Sequence, residues 1–150
     1  AALGHQTRPP FSKGVWVDRA GSKQRTEEIR SSFDVRTPNV DVSAHALSGG
    51  NQQKLILGRE VTSEPKLLIA SHPTRGIDVG AKREIYDILY RLAADGIGIL
   101  MVSSELPEVL GTCDRVYVMR NNRISAEFSR SEATPERCLA AALPSAEDSQ

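Results

Sequence analysis

The chain has 150 residues, 39% of them hydrophobic, with 19 basic and 19 acidic side chains and a formal net charge of zero. That suits one domain with a packed core, and the lack of excess cations argues against a nucleic-acid partner held by phosphate contacts. The longest apolar run, residues 97–102, is far too short to cross a bilayer, so any membrane role is expected to come through a partner. Only Cys113 and Cys138 are present, in no metal-like or paired spacing, which suits a reducing cytosol and small core residues. The opening AALGHQTRPP has no apolar stretch like that of a leader, and the absence of an initial Met suggests a piece of something longer.

In chain order, residues 1–20 hold Gly4, Pro9, Pro10 and Gly14 without periodicity and read as loop or disorder. Residues 22–33 read as a short polar helix. The basic lean of the first 31 residues is expected to be a solvated face. Residues 34–46, with Pro38, read as a linker. From Leu47 strands alternate with helices. Residues 49–62 predict a helix with Ser48 as N-cap, and residues 66–70 a short apolar strand covered on both faces. Asp78 opens a second helix whose Ile85, Ile88, Leu89 and Leu92 fall on one face, and Gly96 is placed to close it in a left-handed conformation. Residues 97–103 predict the next strand, followed by a helix with Pro107 in its first turn. Residues 115–120 and 123–129 flank Asn121-Asn122, a hairpin turn. Thr134-Pro135 starts a last helix ending near Leu143, and residues 144–150 read as a flexible tail. The alternation points to an α/β fold with a mostly parallel sheet, flanking helices and a C-terminal β-hairpin.

The most informative run is Leu47-Ser48-Gly49-Gly50-Asn51-Gln52-Gln53-Lys54. Ser48 can cap a helix whose glycines let a ligand approach the backbone, and the free N–H groups and positive dipole end of such a helix attract anions. The tetrapeptide alone would be an ordinary capped helix. The longer string resembles the signature motif of ABC-transporter ATP-binding domains, in the form typical of monosaccharide and nucleoside importers. Two further blocks follow in the family's order. Pro65 to Asp78 (PKLLIASHPTRGID) resembles the Walker B strand and D-loop, and Ile99 to Glu105 (ILMVSSE) resembles the strand entering the switch loop. The resemblance covers residues 34–143 and implies the C-terminal part of an ABC-type P-loop NTPase core, from the second half of a double-length subunit. Residues 1–33 would then be a remnant of an upstream helical subdomain, partly disordered.

The departures bear on function as much as the matches. Where the family has Asp then Glu at the end of Walker B, this chain has Ser71 and His72, and its switch position holds Ser104 instead of His. Ser71 has no charge to hold a metal's water shell; His72 could accept a proton, although space-filling in a degenerate site is the weightier reading. No metal site is expected in the chain itself. No Gly-Lys-Ser/Thr occurs anywhere, so the Walker A loop and its strand are read as absent.

In the family two ATP-binding domains meet head to tail, each nucleotide lying between one Walker A and the other domain's signature. The resemblance therefore implies that Ser48, Gly49, Gly50 and Gln52 serve a partner's ATP and that Asp78 lies at the interface. His72 and Ser104 stand at degenerate catalytic positions. ATP and Mg²⁺ belong to the intact parent, with none expected on the isolated chain. The implied partners are a second ATP-binding domain, a membrane permease and, indirectly, a solute-binding protein. The implied location is the cytoplasmic face of the plasma membrane. Transport of sugars or of nucleosides stays open, as does a non-catalytic remnant or docking module. Loss of the Walker A strand predicts a gap between residues 97–103 and 115–120.

Overall fold

The computed structural model describes residues 12–13 and 16–143, and the chain divides into two compact units after Leu100. The disorder expected within residues 1–11 and the flexible tail at 144–150 lie outside the described residues.

The first unit opens on two short antiparallel strands, β1 (Ser12–Lys13) and β2 (Trp16–Val17), and helix α1 (Arg19–Ser32). Residues 1–20 are thus not all loop. The helix starts at Arg19 because the Asp18 carboxylate accepts the Gly21 N–H at 3.0 Å, a local cap that outweighs the weak periodicity around it. Its charged side chains pair along the helix, Arg25 with Glu28 at 2.6 Å and Arg30 Nε with Glu27 at 2.8 Å. The expected linker contains a 3₁₀ turn at Ala44–Ala46.

Helix α2 (Gly49–Val61), strand β3 (Leu67–Ser71), helix α3 (Val79–Ala94) and strand β4 (Gly98–Val102) follow in the expected order. Asp78 caps α3 by accepting the Ala81 N–H at 2.9 Å, and Gly96 closes it at φ +92°. Ile85, Ile88, Leu89 and Leu92 all turn inward and, with Leu57 and Leu68, make the core. Ile85 is fully buried. The Gly98 N–H donates to the Lys66 carbonyl at 2.9 Å, so β3 and β4 start side by side and run in the same direction.

Strand β3 corrects one expectation. Leu68 and Ala70 are buried, but Leu67 and Ile69 on the opposite face are 55% and 63% exposed, and Leu100 of β4 is 45% exposed. The strand is covered on one face because the core that seats Leu68 is built from α2 and α3, and among the described residues nothing covers the other face.

In the second unit, helix α4 (Leu106–Thr112) carries Pro107 in its first turn, and strands β5 (Arg115–Arg120) and β6 (Arg123–Ser129) form the hairpin. Arg115 pairs with Ser129 and Arg120 with Arg123, with a register shift between Val118 and Met119. Asn121 and Asn122 take φ +49° and +61°, as a two-residue primed turn requires. Helix α5 (Pro135–Ala142), capped by Thr134, buries Cys138 and lays the Arg137 guanidinium 4.7 Å from the Phe128 ring centre.

Among the described residues the strands form three separate two-stranded sheets, where a single mostly parallel sheet was expected. β4 pairs with β3, and β5 with β6.

Candidate functional site

Ser48, Gly49 and Gly50 sit where two helix N-termini meet. Ser48 has extended backbone angles and its Oγ accepts the Asn51 N–H at 3.4 Å, which starts α2. The N–H groups of Gly49 and Gly50 precede the first i→i−4 bond of the helix and face outward from its positive dipole end. The second helix, α3, begins at Asp78 against this turn. A Cβ on Gly50 would stand 2.6 Å from the Ala81 Cβ, so only glycine lets the two first turns touch. Arg36, Ser48, Gly50, Asn51, Asp78 and Glu84 line one shallow pocket at the junction.

The sequence-expected residues are distributed unevenly. Ser48, Gly50 and Asp78 share this pocket, and Gly49 lies beside it with Ile77 Cγ2 3.0 Å from where its Cβ would be. Gln52 turns away: its amide donates to the Leu47 carbonyl at 2.9 Å, bracing the turn before the helix. Ser71 ends β3 on the uncovered face with Leu67 and Ile69. His72 follows at φ +47°, in the left-handed region, and its carbonyl accepts the Arg75 N–H at 3.1 Å. In the second unit Ser104 is exposed between β4 and α4. Its neighbour Ser103 accepts the Glu105 N–H at 3.0 Å and donates to the carboxylate of the buried Glu108.

Beneath the pocket lies a charge cluster that motif reading assigns no role. Lys54, with 3% of its side chain exposed, donates to Glu84 at 2.6 Å and to the Asp34 carbonyl at 3.0 Å, with the Asp34 carboxylate 3.5 Å away. Arg36 pairs with Glu84 at 2.9 Å and with Asp34 at 3.2 Å. The hydrogen bond from Lys54 holds the Glu84 carboxyl below its usual range, and the Lys54 charge does the same for Asp34. The Arg36 backbone N–H donates to Asn51 Oδ1 at 2.8 Å, and Asn51 Nδ2 donates to Ser48 Oγ at 2.9 Å. The cluster is thereby wired to the Ser48 hydroxyl. A burial test on Lys54, the one lysine in the capped run, is the signal that would have found it.

Among the described residues no helix is long and apolar enough to cross a membrane. No protein-family model matches the chain. It is 54% identical over 123 residues to the L-arabinose transport ATP-binding protein AraG of Geobacillus stearothermophilus, covering 82% of the chain and 24% of that relative. It is 49% identical over 133 residues to the ribose import ATP-binding protein RbsA 1 of Rubrobacter xylanophilus, covering 89% of the chain and 27% of the relative. The chain therefore spans about a quarter of the length of the curated relatives it matches. Among solved structures it is similar to a nucleotide-free ATP-binding cassette from an ABC transporter, with TM-score 0.68 and 28% identity over 77% of the chain and 46% of that structure.

Proposed function

Because the chain belongs to the ABC-transporter ATP-binding family, we propose that it supplies the signature half of a composite ATP site in an importer of simple sugars. The observation that carries this reading is the junction of α2 and α3, where Ser48 and Gly50 line one pocket and Gly49, also in the first turn of α2, lies beside it. Donors of that kind suit the γ-phosphate oxygens of a nucleotide held on a second ATP-binding domain. Asp78, capping the adjacent helix, faces the same partner. Arabinose and ribose import by the relatives supports a sugar over a nucleoside as cargo. The permease carries that cargo, receives it from a solute-binding protein, and holds the chain on the cytoplasmic face of the membrane.

The chain's own nucleotide position is poorly equipped. Ser71 offers no carboxylate for the water shell of Mg²⁺, so the residues present do not fit that ion. Neither Ser71-His72 nor any Gly-Lys-Ser/Thr supplies what hydrolysis at this position needs. The isolated chain is therefore expected to bind no ATP by calorimetry and to release no phosphate above a buffer blank. Steady phosphate release that disappears on substitution of Ser71 or His72 would overturn this. In the assembled transporter, Ser71→Asp with His72→Glu should raise turnover only where a phosphate loop already binds Mg-ATP beside them. Unchanged turnover with demonstrated binding there would move the defect to Ser104.

The same two departures favour a second reading, a non-catalytic module that docks on a partner domain and tunes it. The readings separate on whether the signature residues alter the partner site's turnover.

A further inference from the structure

We propose that Asn51 is a positioning residue that aims the Ser48 hydroxyl proton outward, toward the phosphate of the partner-held nucleotide. The inference rests on the composite-site reading above and deepens it by naming what sets the hydroxyl's direction.

The argument starts from which atoms can only donate. The Arg36 backbone N–H reaches the Asn51 side chain at 2.8 Å, so the atom it meets must be the acceptor, Oδ1. That fixes the amide the other way round at Ser48, where Nδ2 donates to Oγ at 2.9 Å. The Asn51 backbone N–H donates to the same oxygen at 3.4 Å. A serine hydroxyl has two lone pairs and one proton. Both lone pairs are engaged by Asn51, so the proton is left to donate away from the helix, into the pocket shared with Gly50 and Asp78. Without Asn51 Nδ2 the hydroxyl rotor would be free to spend its proton on a carbonyl or water.

The brace is itself held. Arg36 follows two residues after Asp34, which sits at φ +48° with its carbonyl on the buried Lys54 ammonium at 3.0 Å. The Arg36 guanidinium is tied to Glu84 of α3 at 2.9 Å. Three segments distant in sequence therefore determine where one hydroxyl proton points. Preorganisation of this kind keeps a donor from having to rotate into place when charge develops on the phosphate.

A double-mutant cycle in the assembled transporter tests it, with steady-state ATPase read as kcat and KM separately. Asn51→Ala is expected to lower kcat about tenfold, the usual scale for removing a group that orients a reacting donor, with KM within about twofold. Ser48→Ala should cost at least as much, and adding Asn51→Ala to Ser48→Ala should cost nothing further, because Asn51 acts only through that oxygen. Asn51→Asp keeps an acceptor for the Arg36 N–H and a carboxylate in the first helical turn, so its fold is expected to be intact. Its kcat should still fall at least as far as that of Asn51→Ala, because the carboxylate draws the Ser48 proton inward. Additive losses in the cycle, or an Asn51→Asp protein with unchanged kcat, overturn the positioning role while leaving the composite site standing. A Ser48→Ala transporter with undiminished turnover removes both.

Discussion

Replacing Ser48 with arginine in the assembled transporter is expected to lower ATP turnover at least about hundredfold while leaving nucleotide affinity nearly unchanged. Under the proposed composite site, Ser48 and the glycines would act on the γ-phosphate only when the two domains close, so the loss should fall on kcat and spare binding to the partner's own phosphate loop. Ser48 also caps α2, and removing a cap costs about 1 kcal/mol of stability on its own. Ser48→Asp separates the two effects, since aspartate caps a helix as well as serine but presents an anion to the phosphate. The aspartate protein should melt like the unsubstituted one and hydrolyse as poorly as the arginine protein. Phosphate release measured beside equilibrium binding of a fluorescent nucleotide decides this, and full turnover in either variant would refute the composite site.

Glu84→Ala is expected to destabilise the first unit by about 2–3 kcal/mol, somewhat below the usual cost of stranding a buried charge because Glu84 itself is 37% exposed. The asymmetry lies in the pair: the ammonium of Lys54 is enclosed, while its carboxylate partner reaches solvent. Deleting the carboxylate leaves the cation with the Asp34 carbonyl and a carboxylate at 3.5 Å. Deleting the cation instead, by Lys54→Met, returns Glu84 to water and Arg36 and should cost about 1 kcal/mol. Thermal or denaturant unfolding of the variants compares the two, and an equal or reversed order would contradict this account. The pH dependence has a fixed sign. The Glu84 carboxyl titrates below 4.5 in the folded chain, so its contribution is fully present above that value. The gap between unsubstituted and Glu84→Ala chains should stay constant from neutral pH to about 4.5 and shrink below it.

Much of the fold was legible because its signals are local. Ser48, Asp78 and Thr134 each cap the helix expected of them, the four apolar residues of α3 face the core, and Asn121-Asn122 make the turn. The start of α1 is not legible because its cap, Asp18, precedes a helix with only one buried residue, Ile29, and so little periodicity to read. The open face of β3 could not be read either: Leu67, Leu68 and Ile69 spell an apolar run whether one face is covered or two. At the site, Ser48 and the glycines were legible as a contiguous motif. Asn51 and Lys54 lie in the same string, yet their roles depend on Asp34, Arg36 and Glu84, and the last two of these are themselves 48 residues apart. No short-range pattern encodes that meeting.

The uncovered face of β3 and β4 has a thermodynamic consequence. Leu67, Ile69 and Leu100 already meet water in the folded chain, at 55%, 63% and 45% exposure, so unfolding hydrates only about half as much of them as of a buried side chain. They add correspondingly less to the heat-capacity increment of unfolding, and the stability of the chain varies more gently with temperature than its apolar content suggests. A surface that covers them on assembly would remove that hydration instead. The missing increment would then reappear as a negative heat-capacity change of association.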